Sequence, residues 1–209
     1  MLIYKILTIP AILIAFTFHE YAHAFVADRL GDKTPKFQGR LTLNPLAHID
    51  PLGFIMVILA GFGWAKPVQV NPRAFKNYYK DDLKVSIAGP LANVLVAVVV
   101  AVILSIMNKF LPQSFYNNSV INLLITILYI TIQLNCILAF FNIMPLPGLD
   151  GSHVLRDLFP AKAYKIYEAM YPYQTVILLL FIMIPWISGV LVHAPANALY
   201  GFLMKIFNI

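Results

Sequence analysis

The chain has 209 residues, of which 60% are hydrophobic and only 11% charged, with a mean hydropathy of +0.78. Ordinary soluble domains carry about 25% charged residues, so this composition points to a polytopic membrane protein, and the length leaves no room for an appended domain of normal size. The net charge of +6 sits in loops between apolar runs, which is the pattern of membrane topology rather than of a basic groove, and nucleic acid is excluded as a partner.

A helix needs roughly 20 apolar residues to span the hydrocarbon. In chain order, 3–25, 85–108, 120–143 and 174–193 meet that length. The run "PLGFIMVILAGFGWA" (51–65) is too short to cross comfortably, and "PANALYGFLMKIFNI" (195–209) is either a last crossing or an interfacial helix. The expectation is an all-α polytopic protein of four to six transmembrane helices. It forms one integral-membrane domain over 1–209, with a short re-entrant or β element.

Charge orients these segments. Residues 29–84 hold nine lysines and arginines on both sides of 51–65, among them Lys36, Arg40, Lys66 and Lys76. Such residues concentrate in cytoplasmic loops, so both flanks of 51–65 are expected inside and the run dips in and returns. Membrane depth tolerates that only where protein shields the backbone. The loop 109–119 has only Lys109, while 144–173 has Arg156, Lys162 and Lys165. The first helix then enters from outside, and Lys205 favours an inward C-terminus if 195–209 crosses. Prolines and brief alternation in "AKPVQVNP" predict an extended edge strand at 66–71. The lone Cys136 lies in an apolar run and excludes an intrachain disulfide. No small-residue cleavage site follows the first apolar run, so no cleavable signal peptide is expected.

The first long run ends on "FTFHEYAHAF" (16–25), where charge is expensive. "HEYAH" is H-E-x-x-H, and on a helix residues i and i+4 share a face. His19 and His23 can converge on one zinc ion, with Glu20 beside it as general base. Ionisable groups inside a membrane segment are functional by default, which outweighs a reading as two hydrogen-bonded core histidines. A catalytic zinc has three protein ligands and one open position. Asp150, Asp50, His48 and His153 are candidates for the third. Asp150 is the best placed, at the end of 120–143 and on the face where the histidines emerge. Its competing reading is an Asp-Gly turn or helix cap.

H-E-x-x-H in one transmembrane helix, with "NIMPLPGLDG" (142–151) ending a later one, resembles the site-2 protease family of intramembrane zinc metalloproteases. "GRLTLNPLAHIDPLG" (39–53), "GWAKPVQVNP" (63–72) and "SIAGPLANVLVA" (86–97) are similar to its compact prokaryotic members without PDZ or CBS domains, so the resemblance runs from about residue 14 to 156. It implies one zinc held by His19, His23 and Asp150, Glu20 as catalytic residue, and a core of 3–30, 84–108 and 120–143. It implies single-span membrane proteins as substrates, drawn out as a strand. Residues 66–71 are then expected to hold the unwound peptide by strand addition.

Asn142 can orient Asp150 or bind substrate backbone, against a plain helix cap. Asn93 can donate toward the scissile peptide, against packing with Ala88, Gly89 and Ala92. His48 and Asp50 read as turn builders, His153 as facing water, and His193 as interfacial at the opposite face. The expected place is a cell membrane, multi-pass, with the site toward the cytoplasm. The expected partners are substrates and lipid, with self-association left open. The competing functions are a zinc-binding transporter or channel, which would show paired halves, and a membrane enzyme acting on a small hydrophobic substrate.

Overall fold

The computed structural model describes residues 2–60 and 63–209; residues 61 and 62, inside the short run 51–65, lie outside the described residues. Its long elements are α1 (Leu2–Leu30), α2 (Pro51–Ala60), α3 (Tyr78–Phe110), α4 (Ser119–Asn142), α5 (Asp150–Leu158), α6 (Pro160–Met170), α7 (Gln174–Met183) and α8 (Ala194–Phe207). Among the described residues, five stretches are long and apolar enough to cross a membrane: 5–30, 78–110, 119–142, 160–183 and 185–207. The protein is thus an all-α, multi-pass membrane protein. The last two spans depart from the expected boundaries. The apolar run 174–193 is interrupted at Ile184, which is extended (φ −98°, ψ 93°), and Pro185 opens the next helical segment. An apolar count does not register that break, although a proline disfavours helix at the residue before it.

Helices α1, α3 and α4 pack on one another around small side chains. Ala11 and Ala15 on α1, and Ala97 and Ala101 on α3, are fully buried at i, i+4 spacing. Such positions let helix backbones approach closely, and in lipid that close packing replaces a hydrophobic drive. Leu104, Ile132 and Cys136 fill the space between α3 and α4, and Ala196 and Leu203 of α8 close it. The outward residues of the C-terminal spans, including Ile166, Val176, Leu180 and Trp186, are more than half exposed. On a membrane protein that surface faces lipid.

The short run returns to its starting side. Helix α2 has ten residues, about 15 Å at 1.5 Å per residue, which is half a crossing. Its flanks are joined by an antiparallel bridge between Ile49 and Ala65 and by a hydrogen bond from Lys66 N to His48 O at 2.9 Å. The expected strand at 66–71 is not formed: that bridge is the only β pairing among the described residues. Side chains take its backbone groups instead. Arg40 Nη2 donates to the carbonyls of Lys66 and Pro67, Glu20 Oε2 accepts from Val68 N at 2.8 Å, and Asp32 Oδ2 accepts from Asn71 N at 2.7 Å.

Helix α5 is tied to the base of α3 by Arg156, whose Nη2 donates to Asp82 Oδ2 at 3.0 Å. The adjacent Asp157 is 7% exposed, and neither carboxylate oxygen has a hydrogen-bond partner. Burial, and after it the charge of Asp82, pushes the Asp157 carboxyl up to about 7. A carboxyl raised in the folded state binds more protons than its unfolded counterpart between its two pKa values. Stability therefore falls as pH rises from about 4 to about 7. The expected result is a thermal midpoint in detergent a few degrees lower at pH 8 than at pH 5, with the difference reduced in Asp157→Asn. An unchanged pH dependence in that variant would contradict the assignment.

Candidate metal centre and catalytic site

His19 and His23 project from the lower half of α1 and are 7% and 8% exposed. Their Nδ1 atoms are both occupied. His23 Nδ1 donates to the Val85 carbonyl at 2.7 Å, and His19 Nδ1 meets Asn93 Oδ1 at 2.8 Å. The two donors of Asn93 Nδ2 go to Ala15 O at 3.2 Å and Asn135 Oδ1 at 2.9 Å. Asn93 Oδ1 is consequently an acceptor, and the His19 proton belongs on Nδ1. Both Nε2 atoms are left as bare lone pairs facing one another at 3.1 Å.

Asp150 meets them from α5. The helix α4 stops at Asn142, and "IMPLPG" turns the chain so that α5 begins at Asp150. The residue after it is glycine because a Cβ at Gly151 would lie 2.1 Å from the Ile143 carbonyl oxygen. Asp150 Oδ2 is 3.2 Å from His19 Nε2, and Oδ1 is 3.3 Å from His23 Nε2. These three side chains form a group able to hold a metal ion, with ligand atoms within 4.8 Å of one another.

The donor set fits zinc. Tetrahedral zinc with bonds of about 2.0–2.1 Å to nitrogen and oxygen separates its ligand atoms by about 3.4 Å, close to the three separations here. Asp150 Oδ2 is buried without a hydrogen-bond partner, and the two Nε2 lone pairs face each other at 3.1 Å. A buried orphan oxygen and opposed lone pairs are costly unless a cation satisfies them. The site therefore asks for positive charge, which a divalent cation supplies as well as a proton does.

The opposite wall is α3. A Cβ on Gly89 would lie 2.3 Å from His23 Nε2 and 2.7 Å from His19 Nε2, so only glycine leaves room for both rings. Glu20 is 7% exposed and has the Val68 N–H on Oε2. Arg40 is 5% exposed; burial lowers its guanidinium from the usual value, and the charge of Glu20 opposes that shift.

The remaining candidates take other places. Asn93 stands behind His19 with both polar atoms hydrogen-bonded, to His19, Ala15 and Asn135. Asn142 Nδ2 donates back to Leu138 O at 3.1 Å within its own helix. His48 is fully buried with Nε2 on Thr42 O, and Asp50 Oδ1 caps α2 by accepting from Gly53 N. His153 is partly exposed and bonded to Arg156. His193 is exposed and lines an apolar cavity of about 610 Å³ with Lys5. Sequence reasoning passed over Gly89 as a site wall and Arg40 and Asn135 as site neighbours. Only Gly89 carried a local signal, a glycine in the middle of an apolar helix.

Residues 7–184 match the family described as "Peptidase family M50". The curated relatives include "Putative zinc metalloprotease YwhC" of Bacillus subtilis, 38% identical over 197 residues that cover 94% of this chain and 89% of that one. They also include "Putative zinc metalloprotease Rip2" of Mycolicibacterium smegmatis, 30% identical over 76% of this chain and 63% of the relative. A Mycobacterium tuberculosis protein of the same designation is 26% identical over 88% of this chain and 69% of its own length. No solved structure matches.

Proposed function

The chain belongs to peptidase family M50, and from that premise we propose that it is a zinc-dependent intramembrane endopeptidase that cuts single-span membrane proteins near the cytoplasmic face. One observation carries the reading. The paired imidazoles lie inside the first membrane span, 5–30, where Asp150 meets them, and a soluble substrate has no reason to approach that depth. The apolar cavity between α1, α4 and the 182–193 segment supports it. Phe16, one turn before His19, lines this cavity together with Ile12, Leu134, Leu138 and Phe141. A transmembrane segment entering sideways from lipid would meet such a surface. We take 1–209 as one membrane domain, with the catalytic core at about 3–156.

In this reading His19 Nε2, His23 Nε2 and the Asp150 carboxylate would hold the zinc. What zinc supplies when bound is Lewis acidity, which polarises a peptide carbonyl and lets a water lose its proton near neutral pH. Glu20 accepts that proton on a carboxylate oxygen as the water oxygen bonds to the carbonyl carbon. It then delivers the proton to the amide nitrogen as the C–N bond breaks, giving a carboxylic acid and an amine. Asn93 and the Val85 carbonyl keep both Nδ1 protons in place, which holds the ring orientations. The backbone of a helical substrate is shielded by its own hydrogen bonds, so it unwinds before attack.

Purified protein in lipid nanodiscs with a single-span test substrate is expected to carry about one zinc per chain and to release two fragments. Chelation should stop cleavage, and added zinc should restore it. A zinc-loaded protein that leaves every single-span substrate intact would overturn the reading and favour an enzyme of small hydrophobic molecules.

Orientation has its own test. The bridge between residues 49 and 65 puts both flanks of the short run on one side, and their lysines support a cytoplasmic assignment for that side. Cysteines introduced as Lys36→Cys or Lys76→Cys in a Cys136→Ser background are expected to resist an impermeant external reagent. Labelling of either from outside intact cells would contradict the orientation.

A further inference from the structure

The peptide group between Pro67 and Val68 is held at both of its polar ends. Its carbonyl oxygen accepts from Arg40 Nη2 at 2.7 Å, and its N–H donates to Glu20 Oε2 at 2.8 Å. Arg40 Nη2 also donates to the preceding carbonyl, that of Lys66. The segment cannot slide away from this grip, because Lys66 N is bonded to His48 O at one end and Asn71 N to Asp32 at the other. Asp32 is 1% exposed and is itself fixed by the Thr34 N–H at 2.9 Å.

As a stability device this arrangement makes little sense. Arg40 is 95% withdrawn from solvent without a salt-bridge partner among the described residues, and its Nη1 is buried with no hydrogen bond. Removing a guanidinium from water to bind two neutral carbonyls is unfavourable compared with leaving it exposed. The placement makes sense if the cation acts on something beyond the carbonyls. A donor on a peptide oxygen polarises that group and strengthens its N–H as a donor. Here the strengthened N–H points at the carboxylate next to the metal ligands.

We infer that Arg40 is a positioning residue for the reaction: acting through the Pro67–Val68 peptide, it holds one carboxylate oxygen of Glu20 in place so that the other is aimed at the attacking water. This rests on Glu20 being the general base. One nitrogen, Nη2, serves both adjacent carbonyls, and the planar guanidinium fixes the directions of its two N–H bonds, which a freely rotating lysine ammonium does not. The effect belongs to the chemical step, since misplacing a reacting group by about 1 Å costs roughly 10²-fold.

The test combines residue-resolved amide hydrogen exchange with kinetics, comparing wild type, Arg40→Gln and Arg40→Lys in nanodiscs. The Val68 amide is expected to be protected in wild type and to exchange about tenfold faster or more in Arg40→Gln, while amides of α3 keep their protection. Cleavage should fall about 10²-fold in kcat, with KM changed less than about twofold and zinc content unchanged. If Arg40→Gln does not fold, Arg40→Lys keeps the charge, loses the fixed donor directions of the planar guanidinium, and should show the same loss of Val68 protection. Equal Val68 exchange in wild type and the folded variants overturns the inference, as does a defect confined to KM. The exchange readout needs no substrate, so it stands apart from failure of wild type to cleave, which would count against the proposed function instead.

Discussion

Glu20→Gln is expected to abolish cleavage while leaving the fold and the zinc content intact. Glu20 is not among the three side chains whose ligand atoms converge, so exchanging it removes no donor from the metal. Its contact with the Val68 N–H is made by one oxygen, and the carbonyl oxygen of glutamine can accept that bond equally well. What the amide loses is the ability to take and return a proton. General acid–base catalysis of this kind contributes roughly 10²–10⁴-fold, and the residual rate should fall by at least that range. Zinc analysis of purified protein and cleavage of a single-span substrate check both halves. Full activity in the variant would remove Glu20 from the mechanism, and loss of zinc would make it a ligand.

Gly89→Ala is expected to damage the metal centre without touching a ligand. The added methyl would sit 2.3 Å from His23 Nε2 and 2.5 Å from His19 Cε1, well inside contact distance. Neither ring can swing away cheaply, since His23 is tethered to Val85 and His19 to Asn93. Overpacking of this kind costs about 1–3 kcal/mol, which corresponds to about 5–150-fold in zinc affinity if the ring displacement absorbs it. Competition with a chelator measures that loss. Leu91→Ala, at a position 60% exposed on the same helix, should bind zinc as wild type does. A Gly89→Ala protein with wild-type zinc affinity would mean that the rings relax freely.

The features legible in the sequence were those set by local geometry. The spacing of His19 and His23 places both on one helical face, and the two nitrogens lie 3.1 Å apart. The prolines and glycine before Asp150 announce the turn that brings it round. The apolar runs located the first three spans, 5–30, 78–110 and 119–142. Contacts distant in sequence were not legible. Residues 66–71 looked like a strand because their backbone is extended and proline-rich, but their hydrogen-bond partners are the side chains of Glu20, Asp32 and Arg40, 48 residues from Val68, 39 from Asn71, and 26 and 27 from Lys66 and Pro67. Nothing local separates a lysine-like topology signal from an arginine that is buried. The partners of Asn93 were out of reach for a similar reason: Ala15 and Asn135 come near it only through the packing of α1 and α4 against α3.

The central claim is that the cut falls inside the membrane, and mass spectrometry of the fragments released from a single-span substrate tests it most directly. The account predicts new termini within the substrate's membrane span or at its cytoplasmic end, at the depth where His19, His23 and Asp150 meet, with none appearing when Glu20→Gln is used. Termini mapped to an extracytoplasmic loop of the substrate would contradict it.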